Sequence, residues 1–285
     1  MTVQVQGEIL SVQRIGEYTQ FTVVAPEIAS GFKPGHFVAV AVGGPNTSMI
    51  LRRAFALSGA TPSSAFAGTI QFVVAEHGPG THWLVRARAG DVLDIVGPLG
   101  NPFPIPAGQT RAVLVGGGYG SAPLLPLAQA LLDTGSEIEF VLGAATAGRL
   151  FGELAAKRLV GRVTVTTDDG SAGEKGLVTD VLPEAIERVN AEIVYACGPM
   201  GMLQAVAEIA GKRAIRAQVV VEESMACGIG VCMTCVLPVR GEDGTSRFVR
   251  SCVDGPVFDA LNVRWRDVGR LPSDLLGADA MGGGH

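Results

Sequence analysis

The sequence lacks any clustering of its basic residues. Lys and Arg number 22 against 27 Asp and Glu, so the formal net charge is -5, and the basic residues are scattered along the 285-residue chain. A protein that binds nucleic acid needs a basic stripe or patch to meet the phosphates. The sequence therefore predicts no nucleic-acid partner.

No hydrophobic run is long enough to cross a membrane, although 47% of the residues are hydrophobic. Glycines and prolines interrupt the most apolar stretch, residues 112–132, whereas a spanning helix needs roughly 18 apolar residues in succession. The first six residues have neither the basic nor the apolar part of a signal peptide. We therefore expect a cytoplasmic protein without a membrane partner, in which clustered cysteines more often bind metal than form disulfides.

Four of the five cysteines lie near the C-terminus, at Cys227, Cys232, Cys235 and Cys252. The first three have the C-x4-C-x2-C spacing of plant-type ferredoxins, which bind a 2Fe–2S cluster through four thiolates. Gly228 and Gly230 lie between the first two, where a loop that folds around a cluster demands positive φ. The pattern favours a one-electron carrier. A structural zinc site, which usually has two C-x2-C pairs, and unrelated buried thiols are the alternatives.

The pattern along the chain predicts three domains and a tail. Residues 1–105 contain short runs rich in Val, Ile, Phe and Thr, which favour a small antiparallel β-barrel. Residues 106–218 alternate strands with helices, which indicates a parallel sheet covered on both faces. Residues 219–272 are too few for a good core, so a metal cluster would supply crosslinks. Residues 273–285 are predicted to be a disordered tail.

A Gly-rich turn at residues 116–123 follows a predicted strand and opens a predicted helix. Glycines there let a pyrophosphate approach the backbone, and the helix start offers free N–H groups. The turn contains G-x-G-x-x-P, which departs from the usual G-x-G-x-x-G, so a plain tight connection is the alternative. A Cys-Gly-Pro sequence at residues 197–199 also ends a predicted strand, at the edge where open parallel sheets bind ligands.

These motifs together resemble the ferredoxin–NADP reductase superfamily. Its members join an antiparallel flavin barrel to a nicotinamide domain that carries G-x-G-x-x-P and C-G-P. Its flavin motif, Arg-x-Tyr/Phe-Ser, has a counterpart at residues 53–56. Within the superfamily, the domain order and the texts at residues 51–53, 169–171, 176–180, 222–230 and 252–258 are most similar to the electron-transfer subunits of NAD-dependent (class 1B) dihydroorotate dehydrogenases.

The resemblance implies a binding role for each motif residue. Arg53 would contact the FAD pyrophosphate, and Phe55 would lie beside the flavin. The other implied FAD contacts are Ala54, Ala56, Val73, Val74, Ala75, Gly80 and Thr81. The implied NAD contacts are Gly118, Gly120, Cys197, Gly198 and Pro199, and the implied cluster ligands are the four C-terminal cysteines. Two residues depart from the family pattern, because Ala54 replaces a proline and Ala56 replaces a serine whose hydroxyl would be expected to bond the flavin.

Several of these positions have explanations that need no cofactor. Without a cofactor, Arg53 would be an exposed surface arginine and Phe55 an aromatic residue of the core. Cys197 would then be a small buried hydrophobic residue. Asp168 and Asp169 follow a predicted strand, where they would either contact a ribose or lie in a solvated turn. NADH is expected over NADPH, because no basic cluster marks a site for a 2′-phosphate.

The resemblance also implies a function. The chain is expected to be an NAD-linked oxidoreductase subunit in pyrimidine biosynthesis, which passes electrons from an FMN-containing catalytic subunit through the 2Fe–2S cluster and FAD to NAD+. The expected assembly is a heterotetramer of two subunits of each kind. No paired carboxylates or nucleophile elbow stand out in the sequence, which fits substrate chemistry on the partner.

Two kinds of protein compete with this interpretation. Similarly built subunits of sulfide dehydrogenase, hydrogenase or transhydrogenase type would carry the same modules with a different partner. A cluster-bearing redox sensor would have the cysteines but no flavin. The G-x-G-x-x-P and C-G-P pair argues against the sensor.

Overall fold

A computed structural model of the chain describes residues 1–44, 46–62, 68–222, 224–241, 243–272 and 274–275. Its first six strands are β1 (Val3–Ile15), β2 (Tyr18–Val24), β3 (Phe37–Val40), β4 (Arg53–Thr61), β5 (Thr69–Ala75) and β6 (Val92–Leu99). They form a closed antiparallel barrel in the order β1-β2-β5-β4-β3-β6. The long strand β1 closes the barrel, because it pairs with β2 on one side and with β6 on the other. The predicted barrel is confirmed.

Alternating side chains of these strands fill the barrel. Phe21 and Phe72 stack inside it with ring centroids 5.4 Å apart, and both are fully buried. Two short helices that the strand pattern did not predict, α1 (Pro26–Ser30) and α2 (Pro79–Leu84), add Ile28 and Leu84 to this core. Burial of one such aliphatic side chain is worth about 1.5–3 kcal/mol.

Strand β4 is the barrel strand that the sequence pattern misses. It contains Ala54, Ala56 and Gly59, residue types that are depleted in strands. It nevertheless pairs with β3 and β5, so its conformation is imposed by its neighbours in the sheet. The sequence 53–56 that resembles a flavin motif therefore lies on a barrel strand.

The middle of the chain forms an α/β layer. It contains β7 (Arg111–Gly117), α3 (Leu124–Asp133), β8 (Glu137–Ala144), α4 (Glu153–Leu159), β9 (Val163–Thr167), β10 (Glu174–Lys175), α5 (Val178–Val189), β11 (Ile193–Cys197), α6 (Met200–Lys212) and β12 (Arg216–Val220). The strands are parallel, in the order β10-β9-β8-β7-β11-β12. One buried cluster packs α5 and α6 on one face, and another packs α3 and α4 on the other. The predicted parallel sheet with two covered faces is confirmed.

The C-terminal segment packs on both of the other layers. It contains the hairpin β13 (Val236–Arg240) and β14 (Ser246–Arg250), and then β15 (Val257–Asp259), which joins the large sheet antiparallel to β12. Leu237 and Val263 belong to the buried cluster under α5 and α6. Cys235 and Cys252 pack instead against Phe37 of the barrel. This segment therefore lacks a large core of its own, as its length predicted, and shares two others.

The predicted disordered tail, residues 273–285, lies outside the described residues except for Asp274 and Leu275. The Asp274 carboxylate pairs with the Arg264 guanidinium, and Leu275 forms a bridge with Ser246. Over the part of the chain that the structure describes, no helix combines the length and the apolar character that crossing a membrane requires.

Candidate electron-transfer site

Two cavities meet where the barrel faces the carboxyl edge of the large sheet. The smaller, of about 300 Å³, lies between β4, β5 and the segment that follows β12. The larger, of about 640 Å³, lies over the carboxyl ends of β7, β8, β9 and β11. Both are lined by Ala75, His77, Tyr119 and Glu222. A ligand in one cavity can therefore touch a ligand in the other.

The smaller cavity collects most of the residues implied for FAD. Arg53, Ala54, Phe55, Ala56, Val73, Ala75 and Thr81 line it. Val74 does not, because successive side chains of a strand point to opposite faces and Val74 is buried in the barrel core. Gly80 is buried beneath the guanidinium of Arg53, where an added Cβ would lie 2.9 Å from Nε.

Adjacent Arg52 and Arg53 have different partners. Asp94 holds Arg52 through two contacts. The Arg52 Nη1 donates to the Asp94 carbonyl oxygen at 2.9 Å and to its carboxylate at 3.0 Å. Among the described residues, the Arg53 guanidinium has hydrogen bonds only to nearby carbonyl oxygens, at Leu51 and Arg52, and it lines the cavity. A planar guanidinium in this position suits phosphate oxygens.

Phe55 combines the two roles that the sequence left open. Its ring stacks on Phe72 at a centroid distance of 5.3 Å and so belongs to the aromatic core. It also lines the smaller cavity, with Ala54 and Ala56 on either side. The cavity wall beside Phe55 is therefore apolar, and a flavin ring there would meet methyl groups instead of a hydroxyl.

Thr81 has a more local role than the resemblance implied. Its hydroxyl accepts from the backbone N–H groups of His77 and Gly78, at 2.9 and 3.1 Å, and donates to the Gly78 carbonyl. These bonds fix the turn before α2. The backbone N–H groups of Gly80 and Thr81, in the first turn of α2, lack helical partners.

Two glycine-containing turns pack together at the edge of the larger cavity. Gly118 and Gly198 line this cavity together with Pro199. Gly118 has a φ of +57°, which glycine adopts without strain. A Cβ on Gly120 would lie 2.6 Å from the Cys197 carbonyl oxygen, so this glycine is needed for close packing and does not line the cavity.

Cys197 lies behind the cavity. It is fully buried in the cluster beneath α3 and α4, and neither cavity touches it. Burial, reinforced by the nearby charge of Glu222, raises the pKa of its thiol well above the ordinary value. In this position it packs as a small hydrophobic residue.

Tyr119 and Glu222 form a pair at the junction, which the sequence analysis missed. The Tyr119 hydroxyl donates to the Glu222 carboxylate at 3.3 Å. Glu222 is exposed where it faces the cavities, but protein atoms crowd its carboxyl there, and this desolvation raises the pKa of the carboxyl to about 7. Its place directly after β12, at the carboxyl edge of a parallel sheet, is the signal that could have identified it.

The four C-terminal cysteines are free thiols arranged in two pairs. Cys235 and Cys252 are buried with their sulfur atoms 3.3 Å apart, and Cys232 is hydrogen-bonded to Cys227. No three or more His, Cys, Asp or Glu side chains of the described ranges form a group suited to a single ion. Two pairs suit a cluster of two irons, each of which takes two thiolates.

The loop around these thiols supports a cluster in the way the sequence predicted. Gly228 and Gly230 have φ values of +73° and +82°. The backbone N–H groups of Ile229 and Val231 donate to the Cys227 sulfur at 3.5 and 3.4 Å. Hydrogen bonds lower the pKa of the Cys232 thiol to about 6, and the largest contribution comes from the Thr234 hydroxyl. Such donors offset the negative charge of thiolate ligands.

The Cys235–Cys252 pair and the smaller cavity share a wall. Phe37, Ala54 and Met225 pack against Cys235 and Cys252 and also line this cavity. One layer of side chains therefore separates buried cluster ligands from the space beside Phe55. The larger cavity, the smaller cavity and the Cys235–Cys252 pair form a continuous series.

A closed antiparallel barrel, a parallel sheet that matches an oxidoreductase NAD-binding domain and a C-terminal cysteine site follow one another in this chain. Together they define an NAD-linked iron–sulfur flavoprotein with the fold of the ferredoxin–NADP reductases. Phthalate dioxygenase reductase, a modular structure for electron transfer from pyridine nucleotides to [2Fe-2S], has the same fold, with a TM-score of 0.58 and 21% identity over 87% of this chain and 77% of that chain.

The comparisons narrow this class. Residues 222–264 match the iron-sulfur cluster binding domain of dihydroorotate dehydrogenase B, and residues 114–208 match the oxidoreductase NAD-binding domain. The dihydroorotate dehydrogenase B (NAD(+)) electron transfer subunit of Bacillus caldolyticus is 40% identical over 81% of this chain and 86% of its own length. The probable dihydroorotate dehydrogenase B (NAD(+)) electron transfer subunit of Methanopyrus kandleri is 35% identical over 96% of this chain and 97% of its own length. The chain belongs to the family of dihydroorotate dehydrogenase B electron transfer subunits.

A solved structure of a differently named oxidoreductase is also similar over nearly the whole chain. It is an NADH-dependent reduced ferredoxin-NADP oxidoreductase, studied for flavin-based electron bifurcation. Its chain is 31% identical, with a TM-score of 0.80, and the match covers 97% of this chain and 96% of that one. The architecture thus occurs in more than one redox complex.

Proposed function

We propose that this chain passes electrons from a dihydroorotate-oxidising catalytic subunit to NAD+, through a 2Fe–2S cluster and FAD. The observation that carries the proposal is the continuous series of sites. The Cys235–Cys252 pair shares Phe37, Ala54 and Met225 with the smaller cavity, which shares Tyr119 and Glu222 with the larger one. Short separations of this kind are what electron and hydride transfer require.

Each cofactor has a set of residues that suits it. FAD would lie in the smaller cavity, with its pyrophosphate between Arg53 and the first-turn amides of α2 and its ring against Phe55 and Val73. Gly118, Gly198 and Pro199 would hold the nicotinamide dinucleotide, and Cys227, Cys232, Cys235 and Cys252 the cluster. FAD supplies the exchange between paired and single electrons. Domain boundaries near residues 105, 218 and 272 fit this division.

The side chains near the cluster fit a protein partner. Ile229, Val231 and Met233 are 54%, 75% and 55% exposed, and they flank the exposed Cys232. Apolar side chains grouped at one surface mark interaction sites in soluble proteins. We infer that this surface meets the catalytic subunit, that this partner carries FMN, and that two subunits of each kind assemble in the cytoplasm.

A second candidate function follows from the bifurcating oxidoreductase. Its 31% identity over almost the full length of both chains favours a subunit of that kind, with a different partner. The sites described here would be the same in both complexes. The partner, and not the geometry of this chain, separates the two functions.

The decisive experiment is co-expression with a dihydroorotate dehydrogenase catalytic subunit. We expect a stable complex that forms NADH from dihydroorotate and NAD+, and we expect Cys232→Ser to abolish NADH formation while dihydroorotate still reduces an artificial dye. No association with that subunit, or NADH formation that persists in the cluster-free variant, would refute the proposal. Association with a ferredoxin- and NADP-linked enzyme instead would favour the second candidate.

A further inference from the structure

Two adjacent aspartates follow β9, and only one faces the larger cavity. The Asp169 carboxylate accepts from the Ser171 N–H and hydroxyl, at 2.9 and 2.6 Å, and so belongs to the turn. Asp168 lines the cavity, is exposed, and has no hydrogen-bond or ion-pair partner among the described side chains. Its carboxylate is therefore available to a ligand.

The layout of the sheet determines which part of a dinucleotide reaches Asp168. The smaller cavity touches Val220 and Val221 at the end of β12, so the nicotinamide must lie on the β11–β12 side to meet a flavin. In the order β9-β8-β7-β11-β12, Asp168 lies at the far side of the larger cavity. A dinucleotide stretched along the strand ends would place its adenosine there. An acidic group in such a position can accept from the ribose hydroxyls.

The charges around this cavity oppose an additional phosphate. Arg149 is the only Lys or Arg among the described lining residues, and its Nε is already paired with the Glu17 carboxylate at 2.9 Å. Glu76 and Asp168 add further carboxylates to the lining. A 2′-phosphate would bring a charge of about -1.5 to -2 to this region.

We propose that Asp168 makes this chain select NAD(H) over NADP(H). Its carboxylate accepts hydrogen bonds from the adenosine ribose of NAD(H) and repels the 2′-phosphate of NADP(H), while Glu17 keeps Arg149 from compensating. The proposal rests on the proposed use of NAD+ and names the residue that determines the choice.

The test compares Asp168→Asn with Asp169→Asn, which removes the same charge one residue away, in the FAD- and cluster-loaded protein. Calorimetry with ADP-ribose and 2′-phospho-ADP-ribose measures the adenosine site without relying on turnover. We expect Asp168→Asn to weaken ADP-ribose binding about tenfold, because a hydrogen bond to a charged group is lost. It should also tighten 2′-phospho-ADP-ribose binding and lower the NADH-to-NADPH ratio of kcat/KM with ferricyanide by at least about tenfold. Asp169→Asn should change each quantity less than about twofold.

The outcomes separate this proposal from the proposed function. If Asp168→Asn leaves the ratio of the two affinities unchanged, or if Asp169→Asn changes it as much, the assignment to Asp168 is wrong while NAD+ use stands. If the unmutated protein binds neither ADP-ribose nor NADH, the proposed function itself fails. Rescue of NADH preference by Asp168→Glu in place of Asn would support a carboxylate contact.

Discussion

Tyr119 and Glu222 are two of the four described residues that line both cavities. Their hydrogen bond of 3.3 Å places a phenol and a carboxyl between the smaller and the larger cavity, which we assign to FAD and to the nicotinamide dinucleotide. Desolvation raises the pKa values of both groups. A carboxyl with a pKa of about 7 changes its charge near neutral pH, so the charge at the junction depends on pH.

Replacing Glu222 by Gln should remove this sensitivity. The carboxyl has a higher pKa in the folded than in the unfolded chain, so its neutral form favours folding below the ordinary value of 4.5, and this contribution is lost as pH rises through about 7. Gln keeps an acceptor for the Tyr119 hydroxyl without the charge. We expect Glu222→Gln to gain thermal stability relative to the unmutated protein between pH 5 and pH 8, as calorimetric Tm values would measure. A constant Tm difference over this range would contradict the assignment.

At the scale of elements, the site depends on turns held at the ends of strands. The turn before α2 is fixed by the Thr81 hydroxyl, and Gly80 lets the Arg53 guanidinium pack directly on its backbone. The Gly-rich turn after β7 packs against the turn after β11 in the same way. Glycine at these positions lets neighbouring chain segments pack closely, and this packing positions the cavity walls.

A single methyl group on Gly80 should therefore weaken FAD binding. Its Cβ would lie 2.9 Å from the Arg53 Nε and displace the guanidinium that we assign to the pyrophosphate. We expect Gly80→Ala to raise the FAD dissociation constant about tenfold, since a charge-assisted contact is misplaced.

Gly78→Ala is the matched control. A Cβ at Gly78 meets no atom within 4 Å and its φ of -155° suits any residue, so its FAD affinity should stay close to that of the unmutated protein. Flavin fluorescence on reconstitution measures both variants. Equal affinities for Gly80→Ala and Gly78→Ala would remove Arg53 from the FAD site.

The parts of this architecture that the sequence predicts are those with local signals. Cys227, Cys232 and Cys235 lie within nine residues, and their spacing alone indicates an iron–sulfur loop. Strand β4 has no such signal, because its alanines gain β structure only from pairing with β3 and β5. The Tyr119–Glu222 pair joins residues 103 positions apart, and a single sequence gives no measure of such a contact.

At the scale of the whole molecule, the cluster-bearing segment is built into both other layers. Leu237 packs beneath the large sheet, Cys235 and Cys252 pack on the barrel, and β15 extends the sheet beside β12. These contacts hold Cys235 and Cys252 one layer of side chains away from the smaller cavity. The fold thus fixes the order of the cysteine loop at the surface, the smaller cavity and then the larger cavity.

The central claim is that one chain contains a two-electron site and a one-electron site in contact. An anaerobic reductive titration of the purified protein, followed by absorbance and electron paramagnetic resonance, tests it directly. We predict uptake of about three electrons per chain, two by FAD and one by the cluster, and about two electrons in Cys232→Ser. Excess NADH should produce the cluster's paramagnetic signal in the unmutated protein. Uptake of about two electrons by both proteins, or a cluster that NADH never reduces, would contradict the account.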